Sequence, residues 1–280
     1  MATTPLNMGQ GRIRQIVSPP PTLDTNLPTW ARRTNPIIRR QLGIYWRVFV
    51  PQVDLLLRWY VYQAILIVLT AQFSFLFAPI LMLVLASVLL LPIAFWMYAR
   101  LISEIVADSV RSITDEFKND TLMLLRVTPF TLQHIVLSKV AASFWRQMEA
   151  LDGVLSLSLF LGTPLILFMQ VLRFPPETHL LTPQLFTIAV MLVSLLRLPL
   201  EMFMVGMLGM ASGTAGRTKS TGVIITSTLT FFYFLLINLP RFLDLPMPLY
   251  FLVEIVLPLL LPCIIIWLCL RLTMTLLVQD

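Results

Sequence analysis

Between Ile80 and Tyr98 the chain runs without one charged residue, and long, mostly apolar stretches recur at Trp59–Phe77, Val154–Val171, Leu185–Met207, Val223–Leu239 and Leu249–Leu270. As a helix, a run of about 20 apolar residues matches the ~30 Å hydrocarbon thickness of a bilayer and satisfies its own backbone hydrogen bonds. The runs are continuous rather than alternating, which argues against a barrel of dyad-patterned strands. Composition excludes the soluble alternative. With 58% hydrophobic and 12% charged residues and a mean hydropathy of +0.85, too little polar surface remains to cover a globule. The expected fold is an all-α, polytopic membrane protein with six transmembrane helices.

Three regions follow from the pattern. Residues 1–34 are polar and Pro-rich, with Pro19, Pro20, Pro21 and Pro28, and read as a mobile tail. Residues 35–54 interleave Ile37, Ile38, Leu42 and Ile44 with Arg39, Arg40 and Arg47, the pattern of an amphipathic helix lying among lipid headgroups. Residues 55–280 form the six-helix domain, with Phe77-Ala-Pro79, Pro175–His179 and Pro240–Pro248 as outer loops. No apolar core follows Met1 closely, so no cleaved signal is expected and the first span directs insertion. With the N-terminus inside, all but two of the basic residues outside the spans fall on the cytoplasmic side, Arg173 and Arg241 being the exceptions. The positive-inside rule therefore places both termini in the cytoplasm of a multi-pass cell (inner) membrane protein.

The polar interval at 109–143 is the longest charged interruption. Leu122, Leu125, Leu132, Ile135, Val136 and Val140 recur at helical spacing, while Asp115, Glu116, Lys118, Asp120, Arg126 and Lys139 are expected to face water. Thr128-Pro129 predicts a corner between two helices: the residue before proline leaves the α region, threonine caps, and proline fits the first helical position. The first helix is expected to continue to about Arg126. Such an elbow either stays a solvated loop or docks a soluble partner.

Glu116, Thr121-Leu122, Leu124-Leu125, Thr128-Pro129 and Lys139 resemble the pattern of type-2 ABC transporter permeases. Asn35-Pro36 through Arg39-Arg40-Gln41-Leu42 is similar to the segment that leads into the first span of such permeases. Three positions depart from that pattern: Gln41 for a common Glu, Asn119-Asp120 for a common Gly before the Thr, and Ser138 for the Gly before the Lys. The resemblance implies that the interval is a coupling helix seated in a cytoplasmic ABC ATPase subunit. It also implies a permease that dimerises, with a like or unlike chain, to form an export pathway. A non-transporting structural or assembly subunit of a larger complex is the alternative reading.

Catalytic and ligand-binding patterns are lacking. Gly213-Thr-Ala-Gly216-Arg-Thr-Lys219-Ser220 lacks the glycine that precedes lysine in a phosphate-binding loop and reads as a flexible turn of small residues. His134 and His179 fall on opposite sides of the membrane, and no Cys/His cluster exists, so neither metal nor cofactor is expected. Cys263 and Cys269 read as small apolar residues, and the dispersed charge of +6 does not describe a nucleic-acid-binding domain. ATP hydrolysis is expected in a separate subunit. Arg197 and Glu201 lie four apart within the fourth span and therefore on one helix face. They either pair structurally or line a pathway or dimer interface. Met202, Met204, Met207 and Met210 are read as an ordinary lipid-facing set.

The topology carries its own test. Cysteines placed at Ser18 and Ser220 are expected to resist an impermeant thiol reagent in intact cells, and one at Thr178 to react. Labelling at position 220 from outside would exclude the six-span arrangement.

Overall fold

The computed structural model describes residues 26–43, 53–121, 127–174, 181–243 and 245–279, and these contain helices and turns but no strand. The helices are α1 (Pro36–Leu42), α2 (Val53–Gln72), α3 (Phe77–Lys118), α4 (Leu132–Arg146), α5 (Met148–Arg173), α6 (Thr182–Gly216), α7 (Lys219–Asn238), α8 (Met247–Phe251) and α9 (Leu257–Gln279). A π-helical turn, Leu252–Val256, joins α8 to α9 as one continuous rod. Five rods are long and apolar enough to cross a bilayer: α3, α5, α6, α7 with its 3-10 extension, and α8–α9. In α2 the apolar stretch, Leu55–Thr70, is shorter. The chain is a polytopic helical membrane protein.

The boundaries differ from the hydropathy pattern in instructive ways. The first apolar helix is Val53–Gln72 rather than Trp59–Phe77, and a 3-10 turn at Ser74–Leu76 reverses the chain. The second rod runs on past its apolar stretch as expected, as a single 42-residue helix, α3, but ends at Lys118 rather than near Arg126. At about 1.5 Å per residue it is roughly 63 Å long, twice the hydrocarbon thickness. Its chemistry changes along its length. Ala78 to Ala99 carries no charge and exposes Leu85, Leu89 and Phe95, whereas exposed ion pairs Arg100–Glu104 and Arg111–Asp115 follow. Only the first part has a surface suited to lipid.

α6 is the central helix, contacted by α3, α4, α5, α7 and α9. Met202, Met204, Met207 and Met210 are fully buried in it, so they are core and not lipid-facing. The stretch expected to be a flexible turn is also helical as far as Gly216. Here α6 lies close against α3: a Cβ added to Gly209 would lie 2.8 Å from Ser109 Cβ, and one on Gly213 2.5 Å from Ile113 Cγ2. The absence of side chains at these glycines is what lets the α6 backbone approach α3 so closely. The reversal to α7 takes only two residues, with Arg217 in the left-handed region at φ 52° and Thr218 capping α7 at the Thr221 amide.

The predicted interfacial helix is likewise shorter. α1 ends at Leu42, where Gly43 takes φ 53°, and Arg47 lies outside the described residues. Ile38 and Leu42 bury their side chains, and α1 packs on α4 rather than standing alone at a lipid surface, while Arg39 and Arg40 remain exposed.

Overpacking at the α3–α6 contact is expected to cost about 1–3 kcal/mol, so Gly213→Ala should lower thermal stability in detergent. Ile113→Ala introduced beside it should recover part of the loss. Gly162→Ala, whose added Cβ meets only Ser158 Oγ at 3.9 Å, is the control expected to behave as wild type.

Candidate functional site

α3 stops at Lys118 because the next residues turn left-handed. The Asp120 amide bonds to the Phe117 carbonyl and the Thr121 amide to the Glu116 carbonyl, with Asp120 at φ 52°. This pairing is a Schellman cap, in which the left-handed position normally holds glycine. Aspartate tolerates that conformation better than most residues. The departure from the family pattern at Asp120 thus falls on a backbone position with a specific conformational demand. The helix does not reach Arg126, and Leu122, Leu124, Leu125 and Arg126 lie outside the described residues.

On the far side of the corner the cap is Thr131, three residues beyond the predicted one. Its side chain accepts from the His134 amide at 3.2 Å, and α4 begins at Leu132. Thr128 and Pro129 sit in the turn before it, not at the helix start. Val127 is the most exposed large apolar residue of the described chain at 85%. Phe130 stacks on His134 with ring centroids 5.0 Å apart.

Beneath this corner the motif residues converge. Lys139, expected in water, is only 1% exposed, and Nζ donates to the Ser112 carbonyl at 2.7 Å and to Glu116 Oε1 at 2.8 Å. The Thr121 hydroxyl donates to the other Glu116 oxygen. Burial pushes the Lys139 pKa below that of an ordinary amine, with the Glu116 carboxylate opposing the shift. Glu116 and Thr121, with Lys139 23 residues beyond Glu116, therefore form one clamp between the end of α3 and the middle of α4.

A second set of contacts ties segment 26–43 to the same helix. Asn35 caps α1 and reaches α4 through Nδ2, Trp145 Nε1 donates to the Ala31 carbonyl at 2.9 Å, and Arg146 donates to the Gln41 carbonyl at 2.9 Å. Arg146 also pairs with Asp108 on α3 at 3.0 Å. A polar cleft of about 340 Å³ opens between α1, α3 and α4, lined among others by Asp108, Arg111, Asp115, Glu116 and Arg146. Its charges are largely engaged with one another, in the pairs Asp108–Arg146, Arg111–Asp115 and Glu116–Lys139.

Elsewhere, Arg197 and Glu201 do pair, Nε to Oε1 at 2.5 Å. Spacing alone did not reveal the rest of that cluster. Glu201, 1% exposed, also accepts from Tyr98 on α3 at 2.5 Å and from Tyr233 on α7 at 2.7 Å. A further pair, Arg241–Glu254 at 3.0 Å, links the end of α7 to the π-helical turn. The sequence signal for it was available: Glu254 is the lone acid of its apolar stretch, and Arg241 stands just across the preceding short loop. Among the described residues no group of three or more His, Cys, Asp or Glu could hold a metal. No family model matches the chain, and neither a characterised protein nor a solved structure matches it.

Removing one member of the clamp is expected to hurt more than removing both. Glu116→Gln strands a buried ammonium and should lower unfolding stability by about 3–5 kcal/mol, whereas Glu116→Gln with Lys139→Met should recover most of it. Thermal unfolding in detergent reads both. A double variant no better than Glu116→Gln would show that the pair is not coupled.

Proposed function

We propose that the chain is the transmembrane permease subunit of an ATP-driven ABC transporter, an exporter, that forms its pathway as a dimer and is driven by separate ATPase subunits. The observation that carries this reading is the clamp that Glu116 and Thr121 form around the buried Lys139. A coupling element must pass force to the spans without yielding. Here the corner is fixed to a 42-residue helix on one side and to α4, which leads directly into α5, on the other. Three residues of the family-like motif supply that fixation. The resemblance gives the remaining apolar motif residues, Leu122, Leu124 and Leu125, which precede the exposed Val127 in the chain, the role of contacting a partner.

In this reading α2 joins the five longer rods to complete six spans, the corner faces the cytoplasm, and Arg39 and Arg40 meet lipid headgroups. The charge-free part of α3 lies in the membrane and its charged part projects as a stalk towards the ATPase. The Glu201 cluster ties α3, α6 and α7 to one another through Tyr98, Arg197 and Tyr233.

The test targets the tip and leaves the clamp intact. Leu124→Asp with Leu125→Asp removes roughly 1.5–3 kcal/mol of burial per leucine at the partner surface. Membrane level and thermal stability should stay near wild type, while co-purification of an ATPase and substrate-stimulated hydrolysis should be lost. Unchanged values in both assays would eliminate the coupling role, and purification free of any ATPase would favour a structural subunit.

A further inference from the structure

α7 is too short to reach the outer end of the helices it packs against. It runs beside α6, where Tyr233 donates to Glu201 at 2.7 Å and a Cβ on Gly222 would lie 3.2 Å from Gly213 Cα, and beside α3, where the Tyr98 and Phe234 rings are 5.7 Å apart. From that shared level α6 continues to Thr182 and α3 to Phe77, about 28 and 32 Å further towards the outer side. α7 stops at Asn238, only about 8 Å on. Among the described residues from Leu239 to Pro246 there is a 3-10 turn, Leu239–Phe242, but no α-helix. Pro240 and Pro246 bring no N–H to a helical ladder. This irregular stretch carries the chain up to α8, whose Tyr250 stacks on Phe186 at 5.4 Å, about 22 Å above Glu201.

The stretch read as an outer loop therefore lies at the depth of lipid. Over the same interval α3 carries no charge and exposes Leu85 and Leu89. Those leucines sit on a closed helix, which lipid alone can surround. Leu239, Leu243, Met247 and Leu249 are exposed as well, but Leu239 and Leu243 stand on backbone outside any α-helix, and irregular backbone at this depth persists only where protein or water covers it. From within the chain, Asn238 Nδ2 donates to the Phe234 carbonyl and Arg173 to the Leu245 carbonyl. On the outward side leucines predominate, and water would leave them unburied where a protein surface covers side chains and backbone together.

We propose that residues 239–249 are a docking face for a second copy of this chain. Two copies crossing the membrane in the same direction are related by a two-fold axis along its normal, so the same patch meets itself. Charge does not oppose that contact: Arg241 pairs with Glu254 at 3.0 Å and reaches Asn238 at 3.3 Å, both within its own chain. The copies then meet leucine to leucine. In the permease proposed above this is the face through which the two chains join in the outer half of the membrane, so the contact rests on that reading.

Single cysteines at Leu239, at Leu243 and, as the control, at Leu89 on the exposed face of α3 test it in the full chain, with Cys263 and Cys269 replaced by alanine. Oxidation with copper phenanthroline in the membrane should join Leu243→Cys or Leu239→Cys chains into disulfide-linked dimers roughly fivefold more than Leu89→Cys chains, because a disulfide forms only between closely apposed backbones. Single-molecule photobleaching in nanodiscs should show two steps for the wild type. Leu243→Trp, which overfills the contact from an exposed position, should cut the two-step fraction roughly threefold, and Leu89→Trp should leave it unchanged. Cross-linking at both positions no greater than at Leu89 would overturn the docking face, as would an adduct with an unlike chain. Two-step bleaching without either cross-link would reject this face and leave a dimeric permease standing.

Discussion

A lysine ammonium can leave water only where an opposite charge and acceptors are already in place, and the corner between α3 and α4 is built around that demand. Lys139 is buried to 1% exposure, and its nitrogen finds one carboxylate and one carbonyl on α3. Those two acceptors, Glu116 and Ser112, lie a helical turn apart, so both are reached only if α4 crosses α3 at one height. The left-handed turn at Asp120 then becomes necessary. It stops α3 at Lys118, two residues past Glu116, and brings the Thr121 hydroxyl back onto the second carboxylate oxygen. One buried charge thus fixes the crossing of two helices, the end of one and the conformation of the turn between.

Above the corner the same helix leads a different life. Leu81 to Trp96 leave most of α3 open on its flanks, whereas Leu101, Ile105, Val106, Val110 and Ile113 are buried against α4 and α6. Close packing is therefore concentrated in the half that carries charges. Gly209 and Gly213 bring the α6 backbone onto Ser109 and Val110, leaving no slack between them. A displacement at the corner would be carried as a rigid-body movement of α3 with α6, since neither helix can slide past the other without a clash.

How much of this was legible in the sequence follows from which signals are local. Helical class and apolar rods were readable because hydropathy is summed over about twenty residues and needs no partner. The Arg197–Glu201 pair was readable because both members lie on one helix. Lys139 was misassigned to water for the opposite reason: its counter-ion is on another helix, and a charged residue with a distant partner looks the same as a solvated one. The cap at Thr131 was missed because Thr128-Pro129 offers the stronger local signal, yet the turn between α3 and α4 uses those residues and starts the helix later. Met202 to Met210 read as lipid-facing because apolar residues in a span carry no mark of which side is protein. Tyr98 and Tyr233 gave no signal at all, since a tyrosine in an apolar helix becomes informative only once a carboxylate is placed beside it.

That last point bears on what specifies the arrangement of rods in a membrane. Lipid chains are as apolar as leucine, so burying Leu or Ile between helices gains little over leaving them in lipid, and such contacts alone set no register. Register has to come from groups that lipid cannot satisfy. In this chain such groups tie several of the rods together: Glu201 takes donors from α3, α6 and α7, and Arg241 binds Glu254 across the α7–α8 loop. Each is a neutral set, which limits the cost of taking its charges out of water. Buried ion pairs add little net stability compared with apolar replacements, but a pair broken by sliding one helix a turn leaves two uncompensated charges. The penalty for the wrong register is therefore much larger than the gain for the right one, and that asymmetry, more than the apolar packing, singles out one arrangement of these helices.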